Sequence, residues 1–436
     1  MIISHRTALR ASLPLLFVTV ATSPCFGFAE FARSLLLLQT TGSATYDSYF
    51  IGTETNEPDT IYTVYPSLRY RRNAGRGAIN ADAGMAFNRY DVNKDLDSDD
   101  IRANLSIELP TVEGERLDGN FNVGYNEATV VDLYVNDRVT SQTVSSNLLL
   151  NYRLGERIDL GETFSYSSAT RDIYSDQDIF QNQFVVNYNG FLRGTSLDFT
   201  HNLTIVQTSG DAFTGVGLDQ YSNSLSIGLT RALYGDVKGS LNYGYTVLNR
   251  SSGETTNGET RSASSFITAT LDGPFLPRNR FPRLTSSASF SYSQSAMAGL
   301  NDNASKFLSG RLSLSWAARE RTKLHVNASR SLDLSVTNVA VENTRVGAGF
   351  DEQIGRGTSL GGTVGYTWSS YRGVTRTDSV LDASLTISRT FNKYLSASAG
   401  YTYQYNQNSS TGFQPGRYLP TSYERHTVMG SVTVTF

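Results

Sequence analysis

The chain has 436 residues, 37 basic against 40 acidic side chains, a formal net charge of −3 and a single cysteine. That charge balance excludes the basic surface that a nucleic-acid partner needs, and one cysteine excludes a disulfide framework. Length alone suggests two or three soluble domains, yet the composition, rich in Gly, Tyr, Phe, Ser, Thr and Asn and poor in Trp, Met and His, is unusual for one.

The first predicted element is a leader. Residues 1–29 combine a basic start (Arg6, Arg10), a short apolar run from Leu13 to Ala21, and small residues at Gly27 and Ala29. This reads as a secretory signal peptide cleaved after Ala29; the apolar run is too short for a helical membrane span. Cys25 lies inside it, after Pro24 rather than the small residue a lipoprotein site requires. The remaining segment, 30–436, is predicted as one domain.

Along that domain the recurring pattern has period two, in segments of about 9 to 15 residues. In "LDGNFNVGY" Leu117, Phe121, Val123 and Tyr125 oppose Asp118, Asn120 and Asn122. In "VKGSLNYGYTV" Val237, Leu241, Tyr243 and Tyr245 oppose Lys238, Ser240 and Asn242, and "LGGTVGYTW", "LDASLTI" and "LSASAGYTYQY" repeat the scheme further on. A pleated strand sends alternate side chains to opposite faces, so one face is apolar and aromatic and the other small and polar. Glu162 breaks the alternation: it falls on the apolar face of "IDLGETFSY", which suggests a bulge or a displaced register.

Connections alternate between short turns, such as 155–157, 234–236 and 355–357, and longer polar loops at 47–59, 90–100, 250–260 and 406–420. Aromatic residues such as Tyr62, Tyr70, Tyr401 and Tyr405 stand near segment ends. Short turns on one side, long loops on the other and aromatic girdles between describe an outer-membrane barrel. The predicted fold is therefore all-β: a transmembrane antiparallel up-and-down β-barrel of about 20 strands, or 18 if a weak segment is misread. The weak places are the first strand and the proline-rich stretch 271–284. The last strand ends in "MGSVTVTF", with Val428, Val432, Val434 and Phe436 on one face, the pattern of an assembly signal read by the outer-membrane insertion machinery.

Twenty strands enclose a cylinder on the order of 40 Å across, too wide for side chains to fill. Its lumen is expected to be aqueous, and no segment before the first strand is long enough for a plug. Parity assigns Arg69, Arg71, Asp82, Arg102, Glu108, Asp118, Asp198, Lys238, Arg311 and Asp382 to the pore lining. Both signs are present, which argues against strong selectivity for one ion sign. His201, His325 and His426 are the histidines beyond the leader, and no nucleophile, metal or phosphate motif accompanies them. "DRVTSQT" and "DLDSDD" read as acidic loop tracts, solvated rather than calcium-binding. No catalytic residue, metal or cofactor is predicted.

Residues 43–109 are similar to a family of outer-membrane β-barrel porins, beta-barrel porin 2-like, found with bacterial exopolysaccharide biosynthesis and export systems. The Tyr46–Asp47 pair leads into a loop. A strand follows with Pro66, Ser67 and Leu68 in its middle, then an F-x-R-Y strand end from Phe87 to Tyr90 and an acidic loop. The resemblance implies an outer-membrane location, passive export of a polysaccharide, periplasmic export components as partners, and no catalytic residues. A diffusion porin for small solutes and a structural barrel holding a partner or surface polymer are the alternatives.

Overall fold

The structure is a computed structural model describing residues 34–436 apart from 50–56, 74–76, 110–115, 133–136, 173–175, 210–217, 253–259, 275–282, 296–304, 335–339, 372–375 and 411–421. The segment 1–29, read as a leader, lies outside the described residues. The strands are β1 (Ser34–Asp47), β2 (Asp59–Asn73), β3 (Ala78–Tyr90), β4 (Ser98–Leu109), β5 (Leu117–Asp132), β6 (Asp137–Leu154), β7 (Ile158–Arg171), β8 (Gln177–Leu192), β9 (Thr195–Thr208) and β10 (Leu218–Tyr234). They continue with β11 (Val237–Ser252), β12 (Thr260–Asp272), β13 (Leu284–Ser295), β14 (Ser305–Trp316), β15 (Thr322–Leu334), β16 (Ala340–Gln353), β17 (Thr358–Tyr371), β18 (Arg376–Thr390), β19 (Leu395–Ser410) and β20 (Tyr423–Thr435). Besides these, the described residues contain one short 3-10 helix, Lys94–Leu96.

All the strands form one 20-stranded antiparallel sheet, each paired with its sequence neighbours. β1 also pairs with β20, from Gln39 opposite Thr435 to Asp47 opposite Thr427, and this closes the barrel. A path perpendicular to the strands, followed once around through every register, returns to β1 roughly 24 residues further along it. With strands about 4.8 Å apart, that stagger means a tilt near 40° and a backbone cylinder about 40 Å across.

Closure of the register fixes which face looks out. Pairing joins Leu68 to Leu38, Tyr125 to Val144, Leu229 to Leu241, Tyr366 to Leu381 and Val428 to Tyr46 on one continuous face. Its large apolar side chains stay uncovered: Ile227 is 51% exposed, Leu241 55% and Tyr243 54%. A belt of this kind cannot face water in a stable soluble chain, and in a closed barrel it is the lipid-facing exterior. Among the described residues there is no packed interior. Of the most buried polar groups, Asp47, Asp59, Ser98 and Asp100 gather at the rim away from the chain termini, while Ser67 lies in the middle of β2.

At that rim Asp59 is 1% exposed. Its carboxylate accepts the backbone N–H groups of Thr60 (2.7 Å), Asp91 (3.1 Å), Val92 (3.0 Å) and Asn93 (3.1 Å), and the Asn93 side-chain amide (2.8 Å). One side chain thus fastens the β3–β4 connection to the wall. Tight hairpins stand on the other rim, among them those joining β8 to β9 and β10 to β11. The turns Arg193–Gly194 and Gly235–Asp236 place their glycines at φ 70 and φ 56, where a Cβ is strained. Each hairpin carries an irregularity beside it, between Asn189 and Leu192 and between Ala232 and Tyr234.

Pro66 explains a gap in the β2–β3 ladder. The pairing is interrupted between Val64–Phe87 and Ser67–Gly84, because proline has no N–H to donate. Gly84 lets the strands close over the gap: a Cβ there would lie 2.6 Å from the Pro66 carbonyl oxygen. Replacing Gly84 with valine is expected to cost roughly 1–3 kcal/mol. The check is the urea midpoint of the refolded barrel, and an unchanged midpoint refutes it.

Three sequence expectations need correction. Strands run past the apolar belt, to 18 residues in β6, so the predicted loops are shorter: β11 reaches Ser252 and β19 reaches Ser410. "DRVTSQT" is not a loop but the start of β6, and "DLDSDD" is split between the 3-10 helix and β4. β7 has no bulge at Glu162; its register runs unbroken on both sides, with Leu150 and Phe184 as the direct partners of that residue.

Candidate functional site

The face opposite the apolar belt is a carpet of Ser, Thr, Asn and Gln, and all the candidates named from parity stand on it. Hydroxyls bridge neighbouring strands directly: Thr41 with Thr433 (3.0 Å), Thr268 with Ser291 (2.9 Å), Thr363 with Ser384 (2.7 Å) and Ser398 with Ser431 (2.6 Å). The charges sit among them singly or neutralised. Arg69 is directly opposite Asp82, and Lys238 directly opposite Asp272. Asp118 accepts the Asn151 amide at 2.8 Å, and Asp198 accepts the Thr230 hydroxyl at 2.9 Å. The Arg102 guanidinium lies 5.8 Å from the Tyr65 ring centre, beside Gly84, its direct partner. Arg71 is opposite Leu35 and Asn80, Glu108 opposite Ala78 and Asn120, and Arg311 opposite Ser289 and Ser329.

Asp382 has a partner that sequence reasoning missed. Arg345 Nη2 reaches it at 2.8 Å from two strands away. The inward face of β16 alternates Arg345 with Gly347 and Gly349, so its polarity was masked, but Val346, Ala348 and Phe350 on the other parity mark it. His325 faces inward too, 3.8 Å from Asp351, whereas His201 and His426 are on the outward face. The three histidines stand on β9, β15 and β20 and form no common site.

The rims differ in charge. Connections on the side of the chain termini carry Arg116, Arg157, Arg193, Arg283, Arg319, Arg321, Arg356 and Lys393 against Glu156, Asp236 and Glu320, among the described residues. All these cations are exposed. Lys393 donates a hydrogen bond to the Tyr394 oxygen, which holds it charged above its ordinary range. On the opposite rim the described connections carry Glu57, Asp91, Asp95, Asp97, Asp172 and Asp176 against Lys94 alone. Among the described residues the two mouths thus have opposite sign.

Residues 289–436 match the family model described as "Putative beta-barrel porin 2". The match falls on the last third of the chain, from within β13 to the end, and not on residues 43–109, which carried the resemblance in sequence. No curated protein matches the chain in sequence. Among solved structures it is similar to the siderophore receptor PiuA from Acinetobacter baumannii, with 8% identity over 94% of this chain and 82% of that one, TM-score 0.55. It is also similar to BauA, the ferric preacinetobactin receptor from Acinetobacter baumannii, with 10% identity over 92% and 80%, TM-score 0.55. The alcaligin outer membrane receptor FauA from Bordetella pertussis gives 12% identity over 92% and 76%, TM-score 0.50. The chain is thus a closed barrel of the outer-membrane kind, with the sequence pattern of a β-barrel porin family over its last third.

Proposed function

We propose that the protein is an outer-membrane barrel whose inward wall lines a wide, unplugged aqueous pore, a passive conduit for export of an extracellular polysaccharide. The observation that carries this reading is the wall itself: a cylinder about 40 Å across, lined by bridged hydroxyls and isolated or paired charges, with no described element crossing it. Sugar hydroxyls can exchange weak hydrogen bonds with such a wall at every step, and weak, multiple sites favour passage over retention. Arg69, Arg71, Asp82, Arg102, Glu108, Asp118, Asp198, Lys238, Arg311 and Asp382 are proposed as pore lining. The termini side is proposed as periplasmic, which gives export components a basic rim to dock on. Val428, Val432, Val434 and Phe436 are proposed as the assembly signal; the Phe436 N–H bonds the Leu38 carbonyl at 2.7 Å, on the seam.

Single-channel recording of the refolded barrel tests this reading, with and without polysaccharide from the host. A large, stable conductance that the polymer blocks is the expected result. Conductance indifferent to polymer instead identifies a diffusion porin, and a closed barrel identifies a structural one.

A further inference from the structure

The apolar belt contains a polar island. Glu162 on β7 lies between Leu150 and Phe184, and His201 on β9 lies between Phe184 and Leu225. One residue pair further along the ladder, Asn182 on β8 lies between Phe164 and Leu203, and Asn223 on β10 between Leu203 and Val247. All four therefore face outward. The belt continues on both sides, through Leu160, Val186 and Phe199 below and Phe180, Ile205 and Tyr221 above. Two hydrogen bonds organise the island: the Asn182 amide donates to Glu162 at 2.9 Å, and His201 Nε2 bonds Asn223 Oδ1 at 3.1 Å.

These bonds use one oxygen of Glu162 and one ring nitrogen of His201. A carboxylate offers about four acceptor sites and an amide two donors, so most of the capacity is unspent. Hydrocarbon cannot satisfy it, and a charge at mid-depth on a lipid face is destabilising. Among the described residues, the outward ion pairs Arg89–Asp99, Arg330–Glu342 and His426–Glu424 each have a member within two residues of a strand end, where water can reach.

We infer that this face is the contact between two copies of the chain in the membrane. The register makes it self-complementary. With a tilt near 40°, one strand sideways and one pair upward nearly cancel laterally. Glu162 therefore stands below Asn182, and His201 below Asn223, as two upright columns side by side. A twofold axis parallel to the barrel axis sets each column against the other column of the second copy. A ladder row rises by about 6 Å over two strands at this tilt, so His201 stands nearly level with Asn182 rather than with Glu162. The imidazole of each copy then meets the Asn182 amide of the other, as an isologous contact requires. Phe184 and Leu203 lie between the columns, on the axis, where each meets its own counterpart.

The test uses the full-length barrel in lipid vesicles, with Cys25 replaced by serine in every variant. Leu203→Cys is expected to form a disulfide-linked dimer on mild oxidation, and Leu385→Cys, an outward residue on β18, is not. Adding Glu162→Leu and His201→Leu is expected to weaken dimerisation about tenfold while the barrel keeps its heat-modifiable mobility on gels. Equal cross-linking at Leu203 and Leu385, a monomeric wild type in lipid, or undiminished dimer in the double leucine variant overturns the inference. Loss of heat-modifiable mobility in that variant overturns it as well, because the island is then part of the fold.

Discussion

In 10 mM salt the barrel is expected to conduct unequally in the two voltage directions, by about twofold or more, and in 1 M salt equally. The cause is the opposite sign of its mouths. Eight exposed cations against three acids stand on the described connections at the termini side, and six acids against one cation at the other. Such a pore accumulates both ions under one polarity and is depleted of both under the other. Width sets the salt dependence. The screening length is about 30 Å at 10 mM, longer than the radius of about 20 Å, and about 3 Å at 1 M, far shorter. Arg319→Gln with Arg321→Gln removes two cations from one turn and is expected to reduce the asymmetry without changing conductance in 1 M salt. A symmetric current at low salt from singly inserted barrels refutes the argument.

Period-two contrast made the fold legible, and its limits follow from where that contrast fails. Within the belt, β5, β11, β17 and β19 alternate apolar with small polar residues, and their faces could be assigned from sequence. Beyond the belt both faces meet water, so Asp137–Thr143 is polar on both parities apart from Val139 and reads as a loop although it is strand. The same loss of contrast makes predicted strands too short. Glu162 was legible as an exception but not as one half of a pair, because Asn182 lies 20 residues away and only the register joins them. Arg345 and Asp382 are 37 residues apart, and the seam joins residues 378 apart; no local pattern encodes either.

That seam is where a single substitution is expected to cost most. The β1–β20 ladder runs from Gln39 to Asp47, whereas β1–β2 pairing spans the whole of β1, from Ser34 to Asp47. Side chains reinforce the shorter ladder at its open end. Asp47, 3% exposed in its side chain, accepts both Arg425 Nε (3.0 Å) and Nη2, and the Tyr49 N–H at 3.1 Å. Tyr49 stacks on Tyr423 with ring centres 4.9 Å apart, and Ser48 exchanges two hydrogen bonds with His426. Asp47→Ala leaves the guanidinium without its bidentate partner. Because Arg425 is a third exposed, the full penalty for a stranded buried charge does not apply, and about 2–3 kcal/mol is expected. Arg425→Lys is expected to lose part of this, since an ammonium cannot reproduce the fork. Thr41→Val, at a hydroxyl pair lower on the same seam, should cost no more than about 1 kcal/mol. Urea titration of the refolded barrel ranks the three, and a urea midpoint for Asp47→Ala no lower than that of Thr41→Val means that the lock does not hold the barrel closed. The expected order reflects how a barrel opens: every other strand pair is joined by a stretch of chain that limits fraying, while β1 and β20 depend on their ladder and on side-chain contacts such as this cluster.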